Sequence, residues 1–406
     1  MKKTSIRLLC LWLALCLFLA ACGTEPADPT TQATTEVTTE ATTEATTEPT
    51  EAPRISMVES TEPIKNIILI IGDGMGVEHV KAGQLYDGKE YDFAKWPMVR
   101  VNTLPVEYSG KLSDEPTDSA ASATAMATGT LTVNNYVGML TDGTELQTIM
   151  DKASSLGKAT GIVTTDQLFG ATPSAFSAHS RSRSSRNVLL ESQLDSGVNL
   201  LCGDLHEACT VMRPQIEEKG YAYSDDILNL NFEGDKAYWQ LPLAGVDALT
   251  PLQDISIEAL NYLDRDPEGF VLMIEQGHID KFSHNKDFES TCVCVSNLNK
   301  TVEAVMAWLG DRTDTAVLIT ADHETGGLVC SGEEGTYANP VEGPNGTIYY
   351  EYRSGGHTMT DVALYVYGVT VDFTKSEVYK DEVLKNTGVY YLMSDILNIE
   401  ANRNKG

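Results

Sequence analysis

The sequence predicts an α/β fold, a three-layer α/β/α sandwich with a mostly parallel central sheet. Two observations carry this prediction: near-continuous apolar runs typical of strands buried on both faces, and helical patterns that alternate with them. The strand candidates are residues 64–71, 159–165, 199–203, 270–274, 316–321 and 361–367, and the helical patterns are residues 145–155, 252–263 and 290–309. Ligands bind outside the carboxyl ends of the strands in such sheets, so functional residues are expected there.

The N-terminal segment has the pattern of an export signal, predicted over residues 1–21. A basic start precedes an apolar stretch and a group of small residues. The tetrapeptide Leu19-Ala20-Ala21-Cys22 resembles a bacterial lipobox, whose cysteine carries a lipid. This predicts an extracytoplasmic protein, lipid-anchored to the bacterial cell membrane through Cys22. A plain secretory signal and a single membrane helix are the alternatives, although the apolar run is shorter than the ~20 residues that a span needs.

Composition then changes along the chain of 406 residues. Residues 22–62 are rich in Thr, Glu and Pro and lack aromatic residues, which predicts a disordered tether ahead of a folded domain at residues 63–406. The formal net charge of -29 argues against binding nucleic acid, or an anionic membrane surface, through basic patches. Contact with a membrane is therefore expected only through Cys22, and divalent cations suit the charge better.

Five cysteines fall in the predicted domain: Cys202, Cys209, Cys292, Cys294 and Cys330. The spacing of Cys202 and Cys209 permits a small disulfide loop, whereas Cys292 and Cys294 would face apart on a helix. Buried thiols are expected for most of these residues, and no cysteine box for zinc is present.

Three predicted strands end at a carboxylate: Asp73, Glu275 and Asp322. Because the carboxyl ends of parallel strands meet at one edge of a sheet, these acids should converge there. A single such acid would be explained as the N-cap of the next helix. Three converging negative charges repel one another unless cations lie between them, so the pattern predicts a cation site.

Histidines accompany these acids. His323 directly follows Asp322, and His357 follows two glycines. Asp280 and His284 have the i, i+4 spacing that places two residues on one helix face. Each histidine alone is more often a satisfied surface or core residue than a ligand. Carboxylates and imidazoles together, without thiolates, predict catalytic zinc or a similar divalent ion.

An alanine-rich helix is predicted at residues 117–129, with Asp118 as its N-cap, Gly129 as its stop and Ser119 in its first turn. Unpaired amides at a helix start favour a bound phosphate and a serine alkoxide. For Ser119 alone, an ordinary helix start is the simpler interpretation.

A short basic cluster contains Arg181, Arg183 and Arg186. A guanidinium can bind two phosphoryl oxygens at once, but such a cluster is usually a solvated face. The residue chemistry does not select one of the three arginines.

Taken together, these segments resemble the alkaline phosphatases from about residue 65 to residue 368. The motifs are Gly72-Asp73-Gly74-Met75-Gly76, Thr117-Asp118-Ser119-Ala120-Ala121, Ala171-Thr172-Pro173 with His179 and Arg183, Glu275 through Asp280 to His284, Thr320-Ala321-Asp322-His323, and Gly356-His357-Thr358. The resemblance implies that residues 63–406 form an alkaline-phosphatase-like catalytic domain. It also implies hydrolysis of phosphate monoesters through a phosphoserine intermediate, with inorganic phosphate released outside the cytoplasm.

The resemblance further implies a role for each site residue. Ser119 would be the nucleophile and Arg183 the phosphate clamp, with His179 as a supporting residue. Two zinc ions and one magnesium ion are implied, with these ligand sets: Asp280, His284 and His357 for the first zinc; Asp73, Asp322 and His323 for the second; Asp73, Thr172 and Glu275 for magnesium.

One position departs from the family pattern. Gly170 stands where relatives carry an Asp or His that shapes the third metal site, which leaves the identity of the third metal open. Lys281 resembles the lysine that many bacterial members place near the phosphate, and thus belongs to the predicted substrate-binding residues. Without a carboxylate at position 170, Lys281 is expected to be less constrained, with altered phosphate affinity or metal choice as the hypothesis.

Two rival functions remain open. The wider superfamily includes sulfatases and phosphodiesterases; the chain lacks a sulfatase nucleophile context, and an arginine that clamps two free oxygens favours monoesters. A noncatalytic surface lipoprotein that binds phosphate or metal is the other rival, but binding alone needs no nucleophile. The sequence leaves open the physiological phosphomonoester and whether the chain forms a homodimer.

Overall fold

The computed structural model describes residues 55–60, 64–230 and 234–403, in which the strands form one large sheet and two small ones. The strands are β1 (Asn66–Gly72), β2 (Met98–Asn102), β3 (Ala159–Thr164), β4 (Leu200–Asp204), β5 (Ala222–Ser224), β6 (Ala237–Leu241), β7 (Phe270–Gln276), β8 (Thr315–Thr320), β9 (Glu324–Thr325), β10 (Leu328–Ser331), β11 (Asn339–Gly343), β12 (Gly346–Tyr352), β13 (His357–Thr358), β14 (Val362–Tyr367), β15 (Tyr379–Lys380) and β16 (Val383–Lys385).

The large sheet has 11 strands in the order β15-β16-β2-β14-β8-β1-β7-β3-β4-β6-β5. Neighbouring strands from β8 to β5 are all parallel, whereas β14 pairs antiparallel with both β8 and β2. Strands β1, β7 and β8 are buried along their whole length, because their apolar side chains are covered on both faces. The predicted mostly parallel sheet is confirmed.

Helices cover both faces of this sheet. They are α1 (Val77–Asp87), α2 (Ser119–Thr128), α3 (Ile149–Ser155), α4 (Ala171–Ala175), α5 (Arg186–Asp195), α6 (Glu207–Val211), α7 (Arg213–Glu218), α8 (Leu252–Leu263), α9 (His278–His284), α10 (Phe288–Leu309) and α11 (Thr387–Arg403). Helices α1, α8, α9 and α10 pack together as one group, and α2, α3, α4 and α11 as another. Strands β3 and β7 contact both groups, so the predicted three-layer α/β/α architecture is confirmed.

Most predicted elements lie where the patterns placed them, and α8 has the predicted bounds. Helix α3 begins four residues later than predicted. Its start is set by a capping box, in which the Thr148 hydroxyl accepts from the Asp151 amide and the Asp151 carboxylate accepts from the Thr148 amide. Glu145 instead bridges to Met139 as extended chain.

Residues 55–60 pack against the domain, although the prediction placed them in the disordered tether. Met57 is fully buried and its amide donates to the Asp395 carboxylate over 2.8 Å, while Val58 pairs with Val371. These contacts hold residues 55–60 against the folded domain. The export signal, Cys22 and the tether up to residue 54 lie outside the described residues.

Within the described ranges, no helix combines the length and apolar character needed to cross a membrane.

All five cysteines of the domain are buried free thiols, as expected for most of them. Cys202 and Cys209 do not form the disulfide that their spacing permits. Burial raises the pKa of the Cys202 thiol, which disfavours the thiolate form.

Candidate metal-dependent active site

The three strand-end carboxylates converge at the carboxyl edge of the sheet. Strand β1 lies between β8 and β7, and Ile71 pairs with Glu275 on one side and Thr320 on the other. Asp73 follows β1, Glu275 lies in β7, and Asp322 follows β8. Their relative exposures are 8%, 1% and 0% in that order. Parallel pairing in this register therefore collects three buried acids in one place.

Burial gives these acids unusual electrostatics. Burial, reinforced by the charge of Asp322, raises the pKa of Asp73 well above its ordinary value. Burial, followed by the charge of Asp166, raises the pKa of Glu275 to about 8. Neutral or cation-bound carboxyl groups are favoured at such a site, and isolated carboxylates are disfavoured.

Three oxygens at this edge also lack a hydrogen-bond partner among the described residues. They are Asp73 Oδ1, Asp322 Oδ2 and Thr172 Oγ1, and each is buried. Buried polar atoms in folded proteins almost always have a partner, so unpaired oxygens grouped with raised carboxyl pKa values fit a cation site. Hard oxygen atoms of this kind suit divalent metal ions.

Asp280, His284 and His357 form one candidate ligand group. Helix α9 places Asp280 and His284 one turn apart, with Asp280 Oδ1 3.3 Å from His284 Nε2 and 3.4 Å from His357 Nε2. The Nδ1–H groups donate to backbone carbonyls, that of His284 to Gly355 over 3.0 Å and that of His357 to Thr117 over 2.7 Å. A carbonyl can only accept, so both Nε2 atoms are left with lone pairs facing the carboxylate.

These two Nε2 atoms are 3.1 Å apart, so a proton or a metal ion must lie among them. In the absence of metal, a proton can lie between these atoms. Burial works to lower the pKa of His357, but its hydrogen bond to Asp280 raises that pKa above its ordinary value. Burial likewise works to raise the pKa of Asp280, while hydrogen bonds from His357 and Thr325 hold it well below its usual range. Two ring nitrogens and a carboxylate oxygen this close to one another suit a cation.

A second group converges on His323 Nε2. Asp73 Oδ1 lies 3.5 Å away, and Asp322 Oδ2 and Ser119 Oγ each lie 3.2 Å away. Burial lowers the pKa of His323 to about 4, so the ring is neutral at physiological pH. Asp280 also lies within reach of Asp73 and His323, which makes the two groups adjacent.

Thr325 fixes the tautomer of His323. Its hydroxyl donates to Asp280 Oδ1 over 2.5 Å and lies 3.1 Å from His323 Nδ1. Because the hydroxyl proton is already used, Nδ1–H must be the donor to Thr325, and Nε2 keeps its lone pair for the site. Thr325 therefore orients ligands of both groups.

Ser119 occupies the first turn of α2, a helix whose residues are all buried. Asp118 caps this helix by accepting from the Ala121 amide over 2.9 Å, and Gly129 ends it in the left-handed conformation with φ 70°. The Ser119 side chain is placed at the positive end of the helix dipole and beside His323. The hydroxyl can therefore lose a proton next to a bound cation.

Of the three arginines, Arg183 contacts the residue that directly precedes Ser119. Its Nη1 donates to Asp118 Oδ2 over 3.2 Å, whereas Arg181 reaches the Asp142 carbonyl and Arg186 lies over the ring of Phe169. Arg183 also lines an open surface cavity of about 600 Å³, so solvent reaches its guanidinium. The ring of His179 is held by the Leu146 carbonyl, consistent with a supporting role.

The expectation that Lys281 would be less constrained is wrong. Its ammonium donates to Asp166 Oδ1 over 2.6 Å, so a carboxylate is present although position 170 is glycine. Glu275 is the other acid of this part of the site, and it accepts a hydrogen bond from Thr164.

Two residues of this constellation, Asp166 and Thr325, were absent from the predicted site. Asp166 follows the predicted strand at residues 159–165 directly, so the strand-end rule that selected Asp73 would also have selected it. Thr325 lies two residues after His323, but a threonine there carries no distinguishing pattern. Its role depends on a side-chain contact across the site.

Comparison with known proteins places these observations in a family. A family model described as alkaline phosphatase matches residues 64–211 and 225–388. Alkaline phosphatase 3 of Bacillus subtilis is 30% identical over 374 residues, covering 83% of this chain and 79% of the relative. Alkaline phosphatase of Escherichia coli is 27% identical over 338 residues, covering 65% of this chain and 71% of the relative.

Solved structures agree on the fold. A cold-active alkaline phosphatase from a psychrophilic Shewanella has a TM-score of 0.71 at 24% identity, covering 82% of this chain and 99% of that one. A mutant of the alkaline phosphatase TAB5, with magnesium bound in its M3 site, has a TM-score of 0.68 at 20% identity, covering 84% and 98%. With the family match and the B. subtilis relative, this chain belongs to the alkaline phosphatase family and is a phosphomonoester hydrolase.

Proposed function

We propose that the chain hydrolyses phosphate monoesters through a phosphoserine at Ser119, in a site that holds two zinc ions and one magnesium ion. The observation that supports this most directly is the contact of Ser119 Oγ with His323 Nε2 over 3.2 Å. It joins a helix-start serine to a ring nitrogen whose lone pair faces two buried carboxylates.

The proposed metal ligands are the histidine nitrogens whose lone pairs face the site, together with the carboxylate and hydroxyl oxygens beside them. Asp280, His284 and His357 would hold one zinc. Asp73, Asp322 and His323 would hold the other, because Asp73 Oδ1 and Asp322 Oδ2 lie 3.5 and 3.2 Å from His323 Nε2. Asp73, Thr172 and Glu275 would hold magnesium, to which the unpaired Thr172 hydroxyl is suited. When bound, two such cations stabilise the entering and leaving oxygens of an in-line phosphoryl transfer.

The protein groups do the rest of the chemistry. The Ser119 oxygen, at the positive helix end, forms a bond to phosphorus as the bond to the ester oxygen breaks on the opposite side, and the proton that Ser119 loses ends on the released alcohol. Arg183 binds two phosphoryl oxygens that are not transferred, which orients the group for attack. Water then cleaves the phosphoserine, regenerating the hydroxyl and releasing inorganic phosphate.

Replacing Arg183 with Ala tests the monoester preference. We expect KM for p-nitrophenyl phosphate and the inhibition constant of phosphate to rise about 10- to 100-fold, because a charge-assisted hydrogen bond is worth roughly 1.5–3 kcal/mol. Hydrolysis of bis(p-nitrophenyl) phosphate should change less, because a diester offers fewer free oxygens.

Arg181→Ala is the matched control, because Arg181 is exposed and its guanidinium donates to the Asp142 carbonyl in a loop. An unchanged phosphate inhibition constant in Arg183→Ala would contradict the clamp. Preference of the unmodified chain for the diester would favour the phosphodiesterase alternative. Bound metal without any turnover would favour the noncatalytic one.

We also propose that the enzyme acts outside the cytoplasm, anchored to the bacterial membrane by a lipid on Cys22. The support is the lipobox pattern at residues 19–22. Cys22→Ala should abolish incorporation of labelled palmitate and move phosphatase activity out of the washed membrane fraction. Cys16→Ala, inside the predicted signal, should change neither. Palmitate labelling that persists in Cys22→Ala would contradict the anchor.

A further inference from the structure

Asp166 lies at the same sheet edge as the proposed metal ligands. It follows β3, the strand that pairs with β7, and Thr164 is in register with Glu275. The Asp166 amide donates to the Thr164 hydroxyl over 2.9 Å, and that hydroxyl donates to Glu275. Asp166 and Glu275 are therefore joined through one hydroxyl group.

The two carboxylate oxygens of Asp166 have different surroundings. Oδ1 accepts from Lys281 Nζ over 2.6 Å and from the Gln167 amide over 2.7 Å. Oδ2 faces Gly170, where an added Cβ would lie 3.2 Å from Oδ2 and 2.9 Å from the Gln167 carbonyl. Asp166 thus occupies the space in which a side chain at position 170 would begin.

Backbone conformation does not require glycine at position 170. Gly170 has φ −55°, which other residues adopt readily. What excludes a side chain there is contact with the Asp166 carboxylate and the Gln167 carbonyl. The Gln167 carbonyl, at 2.9 Å, excludes a side chain whatever residue stands at 166, and the Asp166 carboxylate crowds the same space.

Gly277 shows that Asp166 and Glu275 are also close to each other. A Cβ at Gly277 would lie 3.1 Å from Asp166 Cβ and 3.8 Å from Glu275 Cδ, so the two side chains flank this residue. Gly277 directly precedes α9, the helix that carries Asp280 and Lys281. One short segment thus connects the acid pair, the lysine and the first zinc group.

We propose that Asp166 takes the place of the carboxylate missing at position 170, positioning Lys281 and adding negative charge beside the third metal group of Thr172 and Glu275. This inference rests on the proposed function, because that group has a role only if the site binds metal. Asp166 acts as a positioning residue: it neutralises Lys281 and strengthens the attraction of the neighbouring oxygens for magnesium.

The first test is Asp166→Asn in the full chain, which keeps the shape and removes the charge. The dissociation constant of magnesium, measured by titration calorimetry on the zinc-loaded protein, should rise about 10-fold, as for loss of an outer-shell partner. The inhibition constant of inorganic phosphate should fall, because Lys281 is no longer neutralised. The zinc content should stay unchanged.

Asp92→Asn is the control. It breaks an exposed ion pair that lies away from the site, in which Asp92 Oδ1 is 3.2 Å from Lys95 Nζ. Melting temperatures of all variants check folding. If Asp166→Asn does not fold, Lys281→Gln removes the other partner, and it should raise the phosphate inhibition constant relative to the unmodified chain.

The second test introduces an acid at position 170. Gly170→Asp should weaken magnesium binding, because its side chain meets the Gln167 carbonyl and the Asp166 carboxylate at close range. Unchanged magnesium and phosphate affinities in Asp166→Asn, or tighter magnesium binding in Gly170→Asp, would overturn the proposal.

The outcomes separate the two proposals. If the unmodified chain shows hydrolysis that needs Ser119 and metal while Asp166→Asn changes nothing, only the role of Asp166 fails. If the unmodified chain shows no such hydrolysis, the proposed function fails, and the magnesium titrations still decide whether Asp166 supports the third site.

Discussion

Ser119→Ala is expected to lower kcat for p-nitrophenyl phosphate by about 10³-fold or more, the scale seen when a nucleophile is removed. The change deletes the oxygen that is the nucleophile in the proposed mechanism, while Ala suits the first turn of α2 and leaves the Asp118 cap in place. The melting temperature should therefore change little. Steady-state kinetics on the full chain measure the effect.

A trapping experiment gives an independent measurement. Incubation with labelled inorganic phosphate followed by acid quench should label the unmodified chain and leave Ser119→Ala unlabelled. Ser155→Ala, an exposed serine at the end of α3, is the control and should keep both activity and label. Full activity in Ser119→Ala would falsify the mechanism.

Removal of divalent cations has the second large expected effect. A chelator should abolish activity and lower the free energy of unfolding, because Asp73, Glu275 and Asp322 are buried together and then have no cation between them. Zinc with magnesium should restore both. Activity that persists in excess chelator, after metal analysis shows an empty protein, would contradict a metal-dependent site.

The loss of stability in the metal-free protein should depend on pH. The pKa of Glu275 is raised from 4.5 to about 8 by burial, then by Asp166, so the folded state holds a proton that the unfolded state releases. The stabilisation from this proton is complete below about pH 4.5 and is lost as pH rises through about 8. The raised pKa of Asp73 acts in the same direction.

Urea denaturation of the metal-free protein between pH 5 and pH 9 measures this dependence. Glu275→Gln should reduce the loss of unfolding free energy with rising pH, because an amide side chain has no proton to lose in this range. Glu289→Gln, on the exposed start of α10, is the matched control and should leave the decline unchanged. Stability that rises with pH in the metal-free protein would contradict the cluster of raised carboxyl pKa values.

Much of the fold and of the candidate site could be predicted because both depend on local patterns. Strand β1 is a continuous aliphatic run, and such a run is stable only when buried on both faces. That burial implies a parallel sheet with helices on each side, and parallel strands have one carboxyl edge. Asp73, Glu275 and Asp322 could therefore be predicted to converge from their positions at the ends of predicted strands, and the parallel register of β1 with β7 and β8 brings them to one edge of the sheet.

Other features depend on contacts between distant segments. Sequence patterns placed Ser119 at a helix start, but its proximity to His323, 204 residues away, is a tertiary contact. The hydrogen bond from the Met57 amide to Asp395 is likewise nonlocal, and it holds a residue of the predicted tether against the domain. Composition describes only a segment's own tendency to order, and it does not include surfaces supplied by residues far along the chain.

Lys281 shows most clearly which features follow from the sequence alone and which depend on the tertiary structure. The sequence by itself determined that position 170 is glycine, where the resemblance implies an Asp or His, and that a parallel sheet would collect acids and histidines at one edge. Only the tertiary structure decided that Asp166 reaches Lys281 from a neighbouring strand. The physical reason is that secondary structure follows from short-range periodicity, whereas a salt bridge follows from strand order, register and side-chain reach, which the whole packed sheet sets together.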